Sequence, residues 1–274
     1  MSRSQHVLVT GAGGDIGSAI VQNFVSAGAT VTAVDIKSES EILNRYSKEQ
    51  QSSIKAVCLD LCDQKAVSAL INSGAPLDCV IGNAGVGGTA AFVDIDATFW
   101  QHTLDVNLTA NFNLGQVAAR HFIKNKTAGR IVFTGSWVGS VPWPEITAYT
   151  VSKAGLEMLA KQMARELGVH GIRVNVVAPG IVKAGMAGEL LKTDPVYAKR
   201  AGKVVPLGEF QTANQVADVV GFLCSTAGDY ITGTVLLADG GCSLFQFDSD
   251  INAICKITSL VFISTLYNYL MDAY

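Results

Sequence analysis

The sequence predicts an α/β fold, a doubly wound parallel β-sheet with helices on both faces of a single domain. Three observations support it. Short apolar, β-branched runs alternate with helical patterns six or seven times along the chain. The first run ends in a glycine-rich turn that opens a helix. Small or polar residues recur at the carboxyl ends of the runs, where sheets of this kind place their ligands. A length of 274 residues suits one large core. Hydrophobic residues make up 49 % and charged residues 16 %, with a net charge of -3, so the chain offers no basic field for nucleic acid.

The first strand is expected over His6 to Thr10, followed by the turn Gly11 to Gly17 and a helix with Ala19, Ile20, Phe24 and Val25 inward. Glycines let backbone N–H groups approach an anion closely, and the helix start adds orphan donors and a positive dipole end, so the turn reads as a diphosphate cradle. A second strand, Thr30 to Val34, ends in Asp35, eighteen residues after Gly17. A carboxylate there accepts hydrogen bonds from an adenosine ribose diol and repels a 2′-phosphate, which favours NAD over NADP. Lys37 is the one basic residue close by.

Residues 37–53 are polar and read as surface helix and loop. A third strand over Ile54 to Leu59 ends in Asp60, and Asp63 caps a helix that turns Ala66, Val67, Leu70 and Ile71 inward. The fourth strand, Asp78 to Gly82, runs into Asn83-Ala84-Gly85, where small residues admit a flat ligand or simply make a turn. Ala97 to Lys124 reads as one long helix with Asn107 as an amide in an apolar patch. The fifth strand, Arg130 to Thr134, delivers Gly135 and Ser136; the sixth, Ile172 to Val177, leads to Pro179-Gly180. Residues 183–210 carry few helix or strand signals and are expected to form an irregular lid. A helix over Asn214 to Cys224 and a strand over Thr234 to Ala238 complete the pattern.

Tyr149 and Lys153 are four residues apart. On a helix they share a face, and a fixed ammonium beside a phenol favours phenolate and brings its proton exchange towards the working range. Ser136 then polarises an oxygen that the tyrosine protonates or deprotonates. The loop from Trp137 to Thr147, rich in Gly, Pro and Trp, is placed to line a pocket over that oxygen. With Met186 it suggests a partly apolar or cyclic alcohol over a free sugar.

Taken together, these motifs resemble the short-chain dehydrogenase/reductase family from about Val7 to Ser243: Thr10-Gly11 to Gly17, Asp60, Asn83-Ala84-Gly85, Asn107, Ser136, Tyr149-x-x-x-Lys153, Pro179-Gly180, Thr232-Gly233 and Asp239-Gly240-Gly241. The resemblance implies a Rossmann-like dinucleotide-binding oxidoreductase domain over residues 1–245 that interconverts a secondary alcohol and a ketone. Tyr149 would be the acid/base, Ser136 would orient the substrate oxygen, and Lys153 would hold the nicotinamide ribose. Asn107 would support a water that links Lys153 to solvent. Contacts to the cofactor would come from Gly11, Asp15, Ile16 and Gly17 at the diphosphate, Asp35 at the adenosine ribose, and Asp60 and Leu61 at the adenine. Asn83 would meet the far ribose and Val182 the nicotinamide amide, and Ala84, Gly85, Pro179 and Gly180 would also contact the cofactor. A homodimer or homotetramer follows by resemblance alone. The alternatives are an NADP-dependent carbonyl or 3-oxoacyl reductase and a non-catalytic dinucleotide sensor or scaffold.

Three positions depart from the family pattern. Asp15 stands where glycine is usual, and beside a diphosphate it must aim its carboxylate away or cap the helix after it; capping is expected. Gly82 replaces an asparagine, which should loosen the local network. Ala184 replaces a threonine whose hydroxyl meets the nicotinamide amide, which should weaken cofactor orientation.

The six cysteines (Cys58, Cys62, Cys79, Cys224, Cys242 and Cys255) form no Cys-x-x-Cys pair, and the four histidines cluster with none of them. Reduced thiols and no metal are expected. The polar start, Met1 to Gln5, shows no basic-then-apolar signal, so a cytoplasmic location is expected. Residues 246–274 form an atypical apolar extension. Its fifteen uncharged residues from Ile257 to Met271 fall short of the ~20 that span a bilayer. Packing against a sister subunit is the first reading and membrane-surface contact the second.

Overall fold

The computed structural model describes residues 4–244, leaving aside the side chain of Met186. The readings made for residues 246–274 and for Met186 lie outside the described residues. Within the described residues, seven parallel strands form one sheet: β1 (His6–Thr10), β2 (Thr30–Asp35), β3 (Ile54–Cys58), β4 (Cys79–Gly82), β5 (Arg130–Thr134), β6 (Arg173–Pro179) and β7 (Val235–Ala238). Their order is β3-β2-β1-β4-β5-β6-β7. The order reverses between β1 and β4, which opens a crevice at the carboxyl ends of the strands.

The period-2 alternation of the strands separates two cores. Val7, Val9, Val31, Ala33, Cys79 and Ile81 face α1 (Asp15–Ser26) and α10 (Ala213–Cys224), which supply Ile20, Val21, Phe24, Val216, Val220 and Leu223. Leu8, Val34, Val80, Ile131, Phe133 and Val174 face the opposite layer: α4 (Gln64–Ser73), α6 (Ala110–Asn125) and α7 (Thr147–Leu167). Each fully buried Leu, Ile, Val or Phe contributes about 1.5–3 kcal/mol, so both faces of the sheet are strongly specified. In α7, Ala148, Ser152, Leu156, Ala160 and Ala164 recur every fourth residue as a buried stripe. Their small or compact side chains seat the helix close to the sheet. The adjacent row carries Tyr149, Lys153 and Glu157.

The polar stretch after β2 forms two short helices, α2 (Glu39–Leu43) and α3 (Lys48–Gln51), each opened by a serine capping box. Asp63 caps α4 as expected, accepting from Lys65 N and Ala66 N at 3.0 Å each.

Two expected elements differ. The long helix over 97–124 is α5 (Ala97–Leu104) and α6 joined by a π turn, Asp105–Thr109. The extra residue in that turn lets Asn107 point fully inward. The segment 183–210 is not irregular: it holds α8 (Gly185–Thr193) and α9 (Pro195–Ala201). Asp194 separates them, accepting from Val196 N at 2.9 Å and Tyr197 N at 3.0 Å, and Pro195 occupies the first turn of α9, where its missing N–H costs nothing. The excursion is closed at its base by Lys183 N donating to Gln211 O and Gln211 N donating to Ile181 O.

Among the described residues no helix is long and apolar enough to cross a membrane. Cys58, Cys62, Cys79, Cys224 and Cys242 are free thiols.

Candidate active site

A cleft of about 1090 Å³ runs along the carboxyl edge of the sheet. Its volume is at the upper end for ligand pockets, large enough for a dinucleotide with a second small molecule. Gly11, Asp15, Ile16, Gly17, Asp35, Asp60, Leu61, Asn83, Ala84 and Gly85 line it. So do Ser136, Tyr149, Lys153, Pro179, Gly180 and Val182. Asn107 is the one predicted site residue behind the wall rather than in it.

The glycine turn is held by backbone proximity. A Cβ on Gly17 would lie 2.0 Å from Gly11 O, so only glycine lets the helix start close over the turn. Gly11 itself has φ +66 and faces Ala84. The N-cap of α1 is Gly14, which provides no side-chain cap, so the orphan N–H groups of the first turn remain available to an anion. Asp35 accepts from Gly13 N at 2.9 Å and from Lys37 N at 3.1 Å. A carboxylate has about four acceptor positions, so capacity for a ribose diol is left. The Lys37 ammonium donates to Gly13 O at 2.9 Å and stays on the turn. Asp60 turns back to accept from Cys62 N at 2.9 Å.

The expectation that Asp15 caps α1 is not met. Asp15 is the first residue of the helix, beyond the N-cap position, and its carboxylate points sideways. It accepts from Gly185 N at 2.9 Å and from the Arg45 guanidinium at 2.6 Å. The Gly185 bond first, and Arg45 second, hold its carboxyl below the usual range. Asp15 thereby ties the glycine turn to the start of α8, and Arg45 offsets an acid placed beside the anion cradle. No local signal announces either partner, since Arg45 and Gly185 are distant in sequence.

Gly82 leaves no void, but the network beside it is looser, as expected: Asn111 Oδ1 has no hydrogen-bond partner among the described residues. A Cβ there would come within 2.4 Å of Asn111 Oδ1 and 2.5 Å of Phe133, so the space of the missing side chain is filled. The Asn83 amide is also committed: it donates to Thr10 O at 3.1 Å and accepts from the Thr134 hydroxyl at 3.1 Å. It staples β1, β4 and β5 at the crevice.

Ser136, Tyr149 and Lys153 converge beyond β5. The Ser136 hydroxyl interacts with the Tyr149 phenol and draws its pKa down. Lys153 is buried at 3 % exposure, donates to Thr134 O at 2.8 Å and lies 5.4 Å from the centre of the Tyr149 ring. Asn107 accepts from Val86 N at 2.8 Å and donates to Val86 O at 2.8 Å and to the Ser152 hydroxyl at 3.0 Å. It braces the loop after β4 against α7 one residue before Lys153.

The sequence reading that Lys153 depresses the phenol needs correction. Burial pushes Tyr149 up to about 12, with Ser136 lowering it and the Tyr197 phenol raising it further. Burial also brings Lys153 down to about 8. The ammonium is directed at a backbone carbonyl, and desolvation outweighs its field at the phenol. At neutral pH the pair is phenol and, in the main, ammonium, a state ready to give a proton rather than take one.

Tyr197, on α9, went unnoticed in the sequence because its helix was not foreseen. It lines the same cleft.

A family profile described as "Enoyl-(Acyl carrier protein) reductase" matches residues 11–243. The D-erythrulose reductase of Gallus gallus is 34 % identical over 240 residues, 87 % of this chain and 96 % of that protein. A putative 2-deoxy-d-gluconate 3-dehydrogenase from Agrobacterium tumefaciens, solved with bound NADP, is similar at TM-score 0.80 and 29 % identity over 87 % of this chain and 96 % of its own. An NAD+-bound xylitol dehydrogenase is similar at TM-score 0.79 and 27 % identity over 86 % of this chain and 98 % of its own. The doubly wound sheet agrees with these likenesses, and the chain belongs to the short-chain dehydrogenase/reductase family.

Proposed function

We propose that the protein transfers hydride between NAD and the carbon of a secondary alcohol or ketone, with Tyr149 as acid/base. The observation that carries this is the convergence of Ser136, Tyr149 and Lys153 on the cleft that also holds the glycine cradle. The residues present fit a dinucleotide: uncapped N–H groups at α1 suit the diphosphate, Asp35 suits a ribose diol, and Lys153 lies at the far end. When bound, the nicotinamide supplies or accepts the hydride. In reduction, the Tyr149 phenol gives its proton to the carbonyl oxygen as the carbon gains hydride, and Ser136 holds that oxygen in line. The resulting phenolate is stabilised by the Lys153 ammonium and regains its proton from solvent. In oxidation the phenolate takes the hydroxyl proton. Asn107 keeps Lys153 in register through Ser152.

NAD is favoured because Asp35 presents negative charge where a 2′-phosphate would sit, and the nearby Lys37 ammonium is engaged by Gly13 O. The reading as an NADP-dependent carbonyl or 3-oxoacyl reductase needs that carboxylate turned away. A sensor without turnover would need Lys153 for the ribose but would have no use for the Ser136 hydroxyl set against the Tyr149 phenol. A homodimer or homotetramer is supported by the exposed apolar side chains Phe112, Val151 and Met158 on α6 and α7, and light scattering checks it.

The test is absorbance at 340 nm with a panel of ketones and secondary alcohols and each nucleotide. NAD(H) is expected to give a kcat/KM at least about tenfold above NADP(H), and Asp35→Ala should narrow that gap. A preference for NADPH would overturn the role given to Asp35.

A further inference from the structure

The substrate end of the cleft is apolar, and its shape is set by a fixed aromatic wall. Trp137, Val138, Trp143, Ile146, Ala187 and Leu190 line it above Ser136 and Tyr149. Trp137 and Val138 are buried, and Trp143 meets Trp137 edge to face at 5.2 Å between ring centres. The Arg200 guanidinium lies over Trp143 at 5.8 Å and within 3.8 Å of Glu145. Edge packing and cation–π contact together fix the plane of the Trp143 indole.

Arg200 and Glu145 sit behind Trp143 and do not line the cleft, and the charged groups that do line it are elsewhere. Asp15, Asp35, Lys37 and Asp60 belong to the glycine turn and the ends of β2 and β3, His102 to α5 and Asp105 to the π turn after it, and Lys153 is bonded to Thr134 O. Glu189, on the lid, is exposed and paired with Lys192 at 2.8 Å. Among the described residues no unpaired cation lines the substrate end to receive a carboxylate or phosphate. Lid hydroxyls are few: Thr193 donates to Glu189 O at 2.8 Å. Tyr197 lies near enough to Tyr149 to raise its pKa, and its hydroxyl makes no hydrogen bond among the described residues.

An open-chain polyol in this space would leave most of its hydroxyls against Trp, Ile, Leu and Val, each forfeiting roughly a factor of ten in affinity. A ring with one reacting oxygen loses little on leaving water and brings few rotors to freeze. Resting on the oxidoreductase reading above, we infer that the substrate is an uncharged cyclic ketone or secondary alcohol, with its ring against Trp143 and its oxygen at Ser136 and Tyr149. Tyr197 provides one hydrogen bond for a second oxygen on the ring.

The test compares 2-decalone, butanone and the open-chain ketose erythrulose with NADH. The kcat/KM for 2-decalone is expected to exceed that for erythrulose by at least about 30-fold. Trp143→Ala should lower the ratio of 2-decalone to butanone at least tenfold, and Trp143→Phe should restore most of it. Erythrulose used as well as or better than 2-decalone, or a ratio indifferent to Trp143→Ala, would overturn the inference. If that erythrulose turnover vanished in Tyr149→Phe, the oxidoreductase reading would still stand. Should no carbonyl turn over, that reading fails instead, and calorimetric titration of Tyr149→Phe protein with NADH decides the substrate class alone. Saturable 2-decalone binding tighter than erythrulose supports it, and its absence overturns it.

Discussion

The two ends of the cleft are built by different means. The cofactor end is backbone: glycines that touch at Gly11 and Gly17, an uncapped helix start, and carboxylates that bond the turns beside them. The substrate end is side chains, a small apolar cluster around Trp137, Val138, Ile181 and Ala201 that draws on the lid and two other loops. Backbone sites tolerate almost no added atom, whereas side-chain sites can be reshaped one residue at a time. A fold of this kind can therefore hold one cofactor while its substrate varies.

The largest effect that sharpens this contrast is expected at Gly17. Gly17→Ala puts a methyl 2.0 Å from Gly11 O, and no flexible side chain is available to yield. A displaced turn should weaken NADH binding by roughly 100-fold or more and lower the melting temperature. Fluorescence titration and calorimetry check both. Binding within threefold of the unmodified protein would show that the turn is more pliant than its contacts imply.

Tyr149 as the proposed acid/base, with Lys153 beside it, makes a second, directional prediction. Oxidation needs the phenolate of a group pushed up to about 12, so its rate should climb with pH, by up to tenfold per unit, until Lys153 loses above about 8 the charge that stabilises the phenolate. Reduction uses the neutral phenol, abundant throughout, and should fall only as Lys153 loses its proton above about 8. Initial rates in both directions between pH 6 and 10 measure this. Identical profiles would contradict the assignment of separate protonation states.

The smallest effect lies at the bridge between the two ends. Arg45→Ala leaves Asp15 uncompensated beside the diphosphate cradle, so NADH affinity should fall, though within about fivefold because the pair is partly exposed. The loss should be greater at low salt than at 0.5 M, since screening weakens the exposed carboxylate. Tighter binding would mean that Arg45 hinders the cofactor.

Legibility in the sequence divides along the same line. The strands, the glycine turn, Asp35 and the Tyr149–Lys153 row rest on local spacing, and all appear close to the positions expected. The π turn at Asn107 was hidden because one extra residue in a helix leaves no compositional mark. The helices of the lid were missed because Pro195 reads as a breaker unless Asp194 is known to cap α9. Asp15 was misread since its partners, Arg45 and Gly185, are brought to it only by the fold. The raised pKa of Tyr149 depends on burial, which spacing does not reveal.

The most direct test of hydride transfer with Tyr149 as proton donor is Tyr149→Phe, assayed for ketone reduction beside a titration with NADH. Removing only the phenol oxygen should lower kcat at least about 1,000-fold, within the usual span for one acid/base group, while NADH affinity stays within threefold. Reduction retained above a tenth of the original rate, with the cofactor bound, would contradict Tyr149 as the proton donor.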